Sequence, residues 1–280
     1  MRSIRSVWGI ALRNLEKWFL NPRVIAIAVF YFATMFIDTR AVVRFSEHVE
    51  IRVTPWLFSH MIGGWYFHVT LMLCAIFLFA DAPFLDESAP YVIVRSGRRA
   101  WVTGQVVYVL LASMVFVVFC YLSSVLPLLG HLKWDTGWGK VIGTLAQTEA
   151  AELYDLKFIF STRILHMYQP IPATLYSMLL TWLICSIVGL LMFVLNLYTA
   201  RSIGTILCCV ITVFDYYIYN FLSGAARRYS PITLSTLSNI DGDYITLGYA
   251  FSVLSAILVA LMILSVAFIR KKDLSAVHEI

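Results

Sequence analysis

The sequence predicts an all-α polytopic membrane protein, with six transmembrane helices and an N-terminal interfacial amphipathic helix, forming one domain over residues 1–280. Three observations predict it. First, six long apolar stretches carry almost no charge: Val24–Ile37, His60–Ala80, Val106–Leu129, Ala173–Tyr198, Ile203–Leu222 and Ile245–Ile269. A bilayer core about 30 Å thick needs about 20 mostly apolar helical residues. Five stretches reach that length; the first is short and needs flanking residues to complete it. Second, 60 % of residues are hydrophobic and 13 % charged, and mean hydropathy is +0.81, far from soluble averages. Third, runs such as LLMFVLNLY and LSAILVALMILSVAF are continuous. That excludes the alternating pattern of a barrel, the other fold that satisfies its backbone within lipid.

In residues 1–22, Ile4, Val7, Trp8, Ala11, Leu12, Leu15, Trp18 and Phe19 recur at helical spacing. Arg2, Arg5, Arg13, Asn14, Glu16 and Lys17 take the other face. This is an amphipathic helix suited to the headgroup plane, with Trp8 and Trp18 as interfacial anchors. Asn21-Pro22 ends it and turns the chain into the first span. The first 20 residues hold no uninterrupted apolar core and no small-residue cleavage site, so no cleavable signal peptide is expected.

The connection Asp81–Gln105, between the second and third spans, mixes Asp81, Asp86 and Glu87 with Arg95, Arg98 and Arg99. A positive-inside anchor needs the arginines but not the acids. Mixed charge beside Phe84, Leu85, Tyr91 and Ile93 suits docking of a partner protein; a solvated charged turn is the plainer alternative. Residues 130–172 form a long outer connection in which Trp134 to Ala151 and Tyr154 to Met167 are each expected to form a helix resting on the interface. Residues 223–244 form a second polar outer segment, broken by Pro231 and carrying Asp241 and Asp243.

Two polar residues lie inside spans. Asp215, in VFDYYIYN of the fifth, is a functional candidate because an intramembrane carboxylate is costly and faces protein or water. The alternative is an interhelical hydrogen bond to a Tyr or Asn. Asn196, in the fourth, reads as structural. All five cysteines fall in spans without redox or zinc spacing and read as small buried hydrophobes.

With the N-terminus cytoplasmic, six spans return the C-terminus to the same side. Twelve of the 21 basic residues then lie on the shorter cytoplasmic pieces, which favours that orientation. The net charge of +5 accordingly points to anionic membrane lipid; no nucleic-acid signature is present. Catalytic patterns are absent as well. His60 and His68 are eight residues apart, roughly 12 Å along a helix, too far to share a metal. There is no HExxH and no nucleophile elbow. GWGKVIGT at Gly137–Thr144 has its lysine in the wrong place for a phosphate-binding loop, and Asp241-Gly242-Asp243 lacks an EF-hand frame.

Several strings in order carry a family resemblance: the N-terminal helix ending in NPR, DAPF…IVRSGRRAWVTGQ, WGKVIGTLA, YQPIPATL, FVLNLY, YSPITL and IRKKDL. Over nearly its whole length the chain resembles the six-span permease subunits of ABC transporters of the ABC-2 type (type V exporter) class, most of all small permeases of Gram-positive bacteria. The resemblance implies a non-catalytic subunit of the bacterial plasma membrane, with both termini cytoplasmic. It would pair with a second permease, identical or homologous, and with separate ABC ATPase subunits. This chain would bind no cofactor; ATP and Mg would sit on the partner ATPase. Carried over by position, Phe84–Tyr91, including Leu85, would hold a coupling helix whose Asp86 and Glu87 reach basic groups on the ATPase. Arg95, Arg98 and Arg99 would anchor the inner end of the third span. Residues 223–244 would form short re-entrant helices at the outer face. No aromatic carbohydrate track is present, and the apolar spans suit an amphipathic substrate: a peptide, antibiotic or lipid. The rival class is a membrane sensor or immunity protein that binds a peptide at its outer loops without transporting it. An intramembrane enzyme requires Asp215 to meet a second catalytic group.

Overall fold

The computed structural model describes residues 2–85, 89–199, 203–222, 224–240 and 245–268. Five helices in it are long and apolar enough to cross a membrane: α2 (Pro22–His48), α6 (Arg98–Val125), α10 (Pro170–Tyr198), α11 (Ile203–Phe221) and α14 (Leu247–Phe268). α1 (Arg2–Glu16) precedes them, and between them run α3 (Phe58–Gly63), α4 (Trp65–Leu78), α5 (Ala89–Ser96), α7 (Gly139–Gln147), α8 (Ala150–Leu153), α9 (Thr162–Met167), α12 (Gly224–Arg227) and α13 (Pro231–Leu234). Among the described residues extended pairing is limited to an isolated bridge, Val53 with Leu132. The chain is an all-α protein of membrane-spanning character.

The first stretch is not short. α2 continues eleven residues past Ile37 to His48, because its polar residues Asp38 and Thr39 are buried against the protein rather than set in water. Its start follows the sequence: the Asn21 side chain accepts from Arg23 N (3.0 Å) and Pro22 occupies the first turn, where its missing N–H costs nothing. The second stretch is not one helix. α3 ends at Gly64, whose backbone is extended, and α4 restarts at Trp65 with fourteen residues. Ser238 explains the break: it donates to Gly63 O (3.2 Å), and a Cβ on Gly63 would lie 2.9 Å from its hydroxyl.

Within lipid, apolar surface gains little by packing against apolar surface, so helices associate through close approach and polar contacts. α10 is the hub: 72 % of its most apolar window is buried, against 22 % in α11 and 28 % in α2 and α14. Gly189 lets α10 approach its neighbours, since a Cβ there would meet Val109 at 2.6 Å and Phe79 at 3.0 Å. The outward faces of α2 and α11 show Ile25, Val29, Phe30, Val210, Val213 and Phe214, as lipid-facing helices should.

The two ends of the bundle differ. The near end holds α1, α5 and the start of α6. α1 lies on α6, where Gly104 leaves room for Ile10 (2.9 Å from a notional Cβ). Asn14 donates to Gln105 (2.7 Å), and Trp18 Nε1 donates to the Tyr108 hydroxyl (2.9 Å). The far end is covered by residues 126–169 and 224–240. Two expected helices there are replaced. Trp134 to Ala151 is helical only as α7 and α8, and Tyr154 to Met167 only from Thr162. Between them the chain turns and bends outside any helix or strand, with Phe158 and Phe160 buried and Ile159 exposed. A period of two cannot be served by a helix.

Candidate functional site

The near-end connection contains most of the residues expected to couple to a partner, and the structure divides them. Phe84 turns inward. Its backbone has φ of +60°, and its ring meets Tyr108 edge-on at 5.0 Å, stacks parallel to Phe193 at 6.3 Å and reaches Phe79 at 6.5 Å. Leu85 is half-buried beside it. Asp86 and Glu87 lie outside the described residues. The helix expected over Phe84–Tyr91 instead runs Ala89–Ser96. An aromatic ring that can fill a pocket between three others does not stay in water, and Pro90 suits a helix start better than a helix middle.

α5 divides its apolar side chains: Ala89, Val92 and Ile93 pack against the bundle, whereas Tyr91 is 79 % exposed and Val94 87 %. Arg95 lies in its last turn, and Arg98 and Arg99 open α6; all three are exposed. Gly97 joins the two helices at φ of +85° with no atom near its notional Cβ. Its role is therefore conformational, a left-handed link that turns α5 away from the axis of α6. Arg23 and Asp81 pair at the base of this loop.

The interfacial anchors also divide. Trp8 is half exposed, in line with Ile4 and Leu12, whereas Trp18 faces α6 through its bond to Tyr108. The apolar face read from the sequence thus serves two surfaces, one against protein and one outward.

Asn196 bridges three segments. Its amide donates to Ala82 O (2.9 Å) and its oxygen accepts from Gly204 N (2.7 Å). It ties the end of α10 to the turn after α4 and the start of α11, a structural role.

Asp215 is buried, but its partners are neither Tyr nor Asn. One carboxylate oxygen accepts from the Ser230 hydroxyl, from Thr233 N (3.1 Å) and from Thr233 Oγ1 (2.6 Å). Ser230 caps α13, so the carboxylate of α11 clamps the first turn of a short helix that dips back into the bundle. Negative charge beside helix N–H groups is favourable. His68 is close: its Nε2 lies 3.3 Å from Ser235 Oγ. The three side chains do not form a catalytic chain. Ser235 donates to Ile232 O (2.7 Å) and is 1 % exposed, and His68 Nδ1 has no hydrogen-bond partner among the described residues. A nucleophile needs access and a base oriented by its third member.

Asp38 escaped the sequence reading, which ended the first span one residue before it. It is buried in α2 and reached by Lys157 Nζ at 3.3 Å. The carboxylate holds the Lys157 ammonium above its ordinary pKa. Lys157 also lies 5.9 Å over the Tyr66 ring. Nothing local in the sequence announces this pair, since Lys157 lies more than a hundred residues further along the chain. His60, buried against Trp138 and Phe160 (4.8 and 5.3 Å), accepts from Ser161 N (3.2 Å); it fastens the far-end layer. Among the described residues no group of three His, Cys, Asp or Glu could hold a metal, and the five cysteines are unpaired, four of them buried.

No protein-family model, curated protein or solved structure matches the chain.

Proposed function

We propose that this chain is the transmembrane subunit of an ATP-driven exporter of the ABC-2 type. In this reading α3 and α4 together supply the sixth crossing, with Gly64 between their six and fourteen residues. α1 is the interfacial helix, and the near end faces the cytoplasm of a bacterial cell. The chain pairs with a second permease, identical or homologous, and exports an amphipathic peptide, antibiotic or lipid-like substrate. ATP and Mg belong to separate ATPase subunits.

The observation that carries the reading is α5. A short helix between two membrane helices, beside the interfacial helix, holds Tyr91 and Val94 almost fully exposed with Arg95, Arg98 and Arg99 around them. Apolar side chains rimmed by charge, outside the span, mark a protein docking surface. In this reading the dock is centred on Tyr91 and Val94, while Phe84 secures the loop to the bundle. The sequence resemblance supplies the identity of the docked partner. The sensor reading draws on an open cavity of about 450 Å³ at the far end, lined by Trp138, His166 and Tyr168 among others; that reading requires nothing to bind α5.

The test is reconstitution. The purified chain alone hydrolyses no ATP, and an ATPase encoded beside it binds and hydrolyses when added. Asp86→Lys with Glu87→Lys lowers recovery of that ATPase while helicity is kept, because like charges facing across an interface cost several kcal/mol. ATP turnover by the lone chain, or a full-strength complex after the double reversal, contradicts the reading.

A further inference from the structure

Between α1 and α5 the near end opens into a cleft of about 770 Å³, walled by Arg5, Gly9 and Arg13 on one side and Arg95 and Ser96 on the other, with Gln105 behind. Three features distinguish it from an ordinary basic surface. Arg5, Gly9 and Arg13 recur every fourth residue, so one face of α1 lines the cleft. Among the described residues none of Arg5, Arg13 and Arg95 makes an ion pair with a carboxylate. Three arginines from two helices thus line one space. Gly9 has nothing within 4 Å of a notional Cβ, so its lack of a side chain is not required by packing; it leaves the cleft floor open.

The neighbouring stripe of α1, one residue earlier in each turn, is apolar and exposed: Ile4 65 %, Trp8 49 % and Leu12 48 %. A helix with such a stripe beside a cationic one lies at a membrane interface. The ligand that fits both is an anion joined to hydrocarbon. Guanidinium groups bind phosphate oxygens with paired N–H donors, and the apolar stripe beside them offers a surface for acyl chains.

We propose that the cleft between α1 and α5 binds the phosphodiester headgroup of a membrane phospholipid of net negative charge, through Arg5, Arg13 and Arg95. The site rests on the membrane character of the chain and on no assignment of its transport function. A lipid held there touches both the interfacial helix and the exposed helix, so its occupancy fixes how α5 is presented.

The test uses the full chain in detergent, titrated with phosphatidylglycerol and, separately, phosphatidylcholine, with retained lipid counted by native mass spectrometry. Phosphatidylglycerol is retained and phosphatidylcholine is not. Near an anionic surface each basic side chain contributes about fivefold to binding, so Arg5→Gln, Arg13→Gln and Arg95→Gln together weaken phosphatidylglycerol retention by about a hundredfold. Removing three charges elsewhere, by Arg40→Gln, Arg52→Gln and Arg163→Gln, leaves it unchanged. Gly9→Leu, which keeps every charge and favours the helix, fills the floor and also lowers retention, so the proposal does not depend on the triple variant folding. Excess inorganic phosphate fails to displace the lipid; displacement by phosphate assigns the site to free phosphate and overturns the lipid assignment. Equal retention by the two arginine triples, undiminished retention by Gly9→Leu, or equal binding of phosphatidylcholine overturns the site itself.

Discussion

The two ends of this helical bundle treat their connecting segments in opposite ways. At the far end residues 126–169 and 224–240 turn inward. Phe158, Phe160, Ile164, Ile232 and Leu234 are buried, Asp215 clamps α13, and Lys157 reaches down to Asp38. At the near end a connection of comparable apolar content turns Phe84 inward but leaves Tyr91 and Val94 outward on α5. The far-end layer leaves Trp134, Leu153 and Ile159 at its rim, as aromatic and aliphatic residues at a membrane interface do. The difference lies in the polar accounting. At the far end Asp215, Asp38 and the Nδ1 of His60 find partners within the chain, as buried polar groups generally do; at the near end the exposed Arg5, Arg13 and Arg95 make no ion pair with a carboxylate among the described residues. One end folds its connecting segment onto the bundle, and the other leaves Tyr91 and Val94 exposed.

Substitutions of graded effect probe that contrast. Replacing Asp215's donors, Ser230→Ala with Thr233→Val, leaves a buried carboxylate short of hydrogen bonds, at a cost of about 3 kcal/mol. The expected result is a lowered melting temperature in detergent together with new cysteine-labelling access around Pro231. Unchanged labelling means that the far end is not closed by this clamp. At the near end Asn196→Leu removes the bonds to Ala82 O and Gly204 N and introduces a branched side chain where Gly204 already approaches closely. Its cost is about 2 kcal/mol, read in the same melt. Arg23→Gln breaks an ion pair whose Asp81 side chain is 56 % exposed; solvent screening limits that loss to about 0.2–1 kcal/mol. Tyr91→Ala with Val94→Ser changes stability by less than about 0.5 kcal/mol, as exposed substitutions do, yet abolishes recovery of an ATPase partner. A large stability loss from that last pair means that α5 belongs to the fold rather than to a partner.

Much of this architecture is legible in the sequence, because apolar runs bounded by caps leave few alternatives in lipid. Asn21-Pro22 marks the start of α2 within a residue of where it lies. What was not legible depended on distant partners. The first apolar run stops at Ile37, before Asp38; α2 continues because Lys157, more than a hundred residues away, satisfies Asp38. The second stretch reads as continuous because nothing near Gly63 and Gly64 announces Ser238. The run YDLKFIF did announce itself: Tyr154, Leu156, Phe158 and Phe160 alternate with outward residues, a strand-like period mistaken for a helix. In the candidate site, the exposure of Arg95, Arg98 and Arg99 matched a sequence pattern of mixed charge. The inward turn of Phe84 needed Phe79, Tyr108 and Phe193, which only the fold brings together.

The central claim is that the near end, through α5, is the surface kept for another protein. A photo-crosslinking residue placed at Tyr91 and, in a separate protein, at Ile159 tests it most directly, since both sites are almost fully exposed and lie at opposite ends. In cells expressing the chain with an ABC ATPase that co-purifies with it, the account predicts a covalent adduct to that ATPase from position 91 and none from position 159. An adduct from position 159 alone, or none from position 91 while the complex still co-purifies, contradicts it.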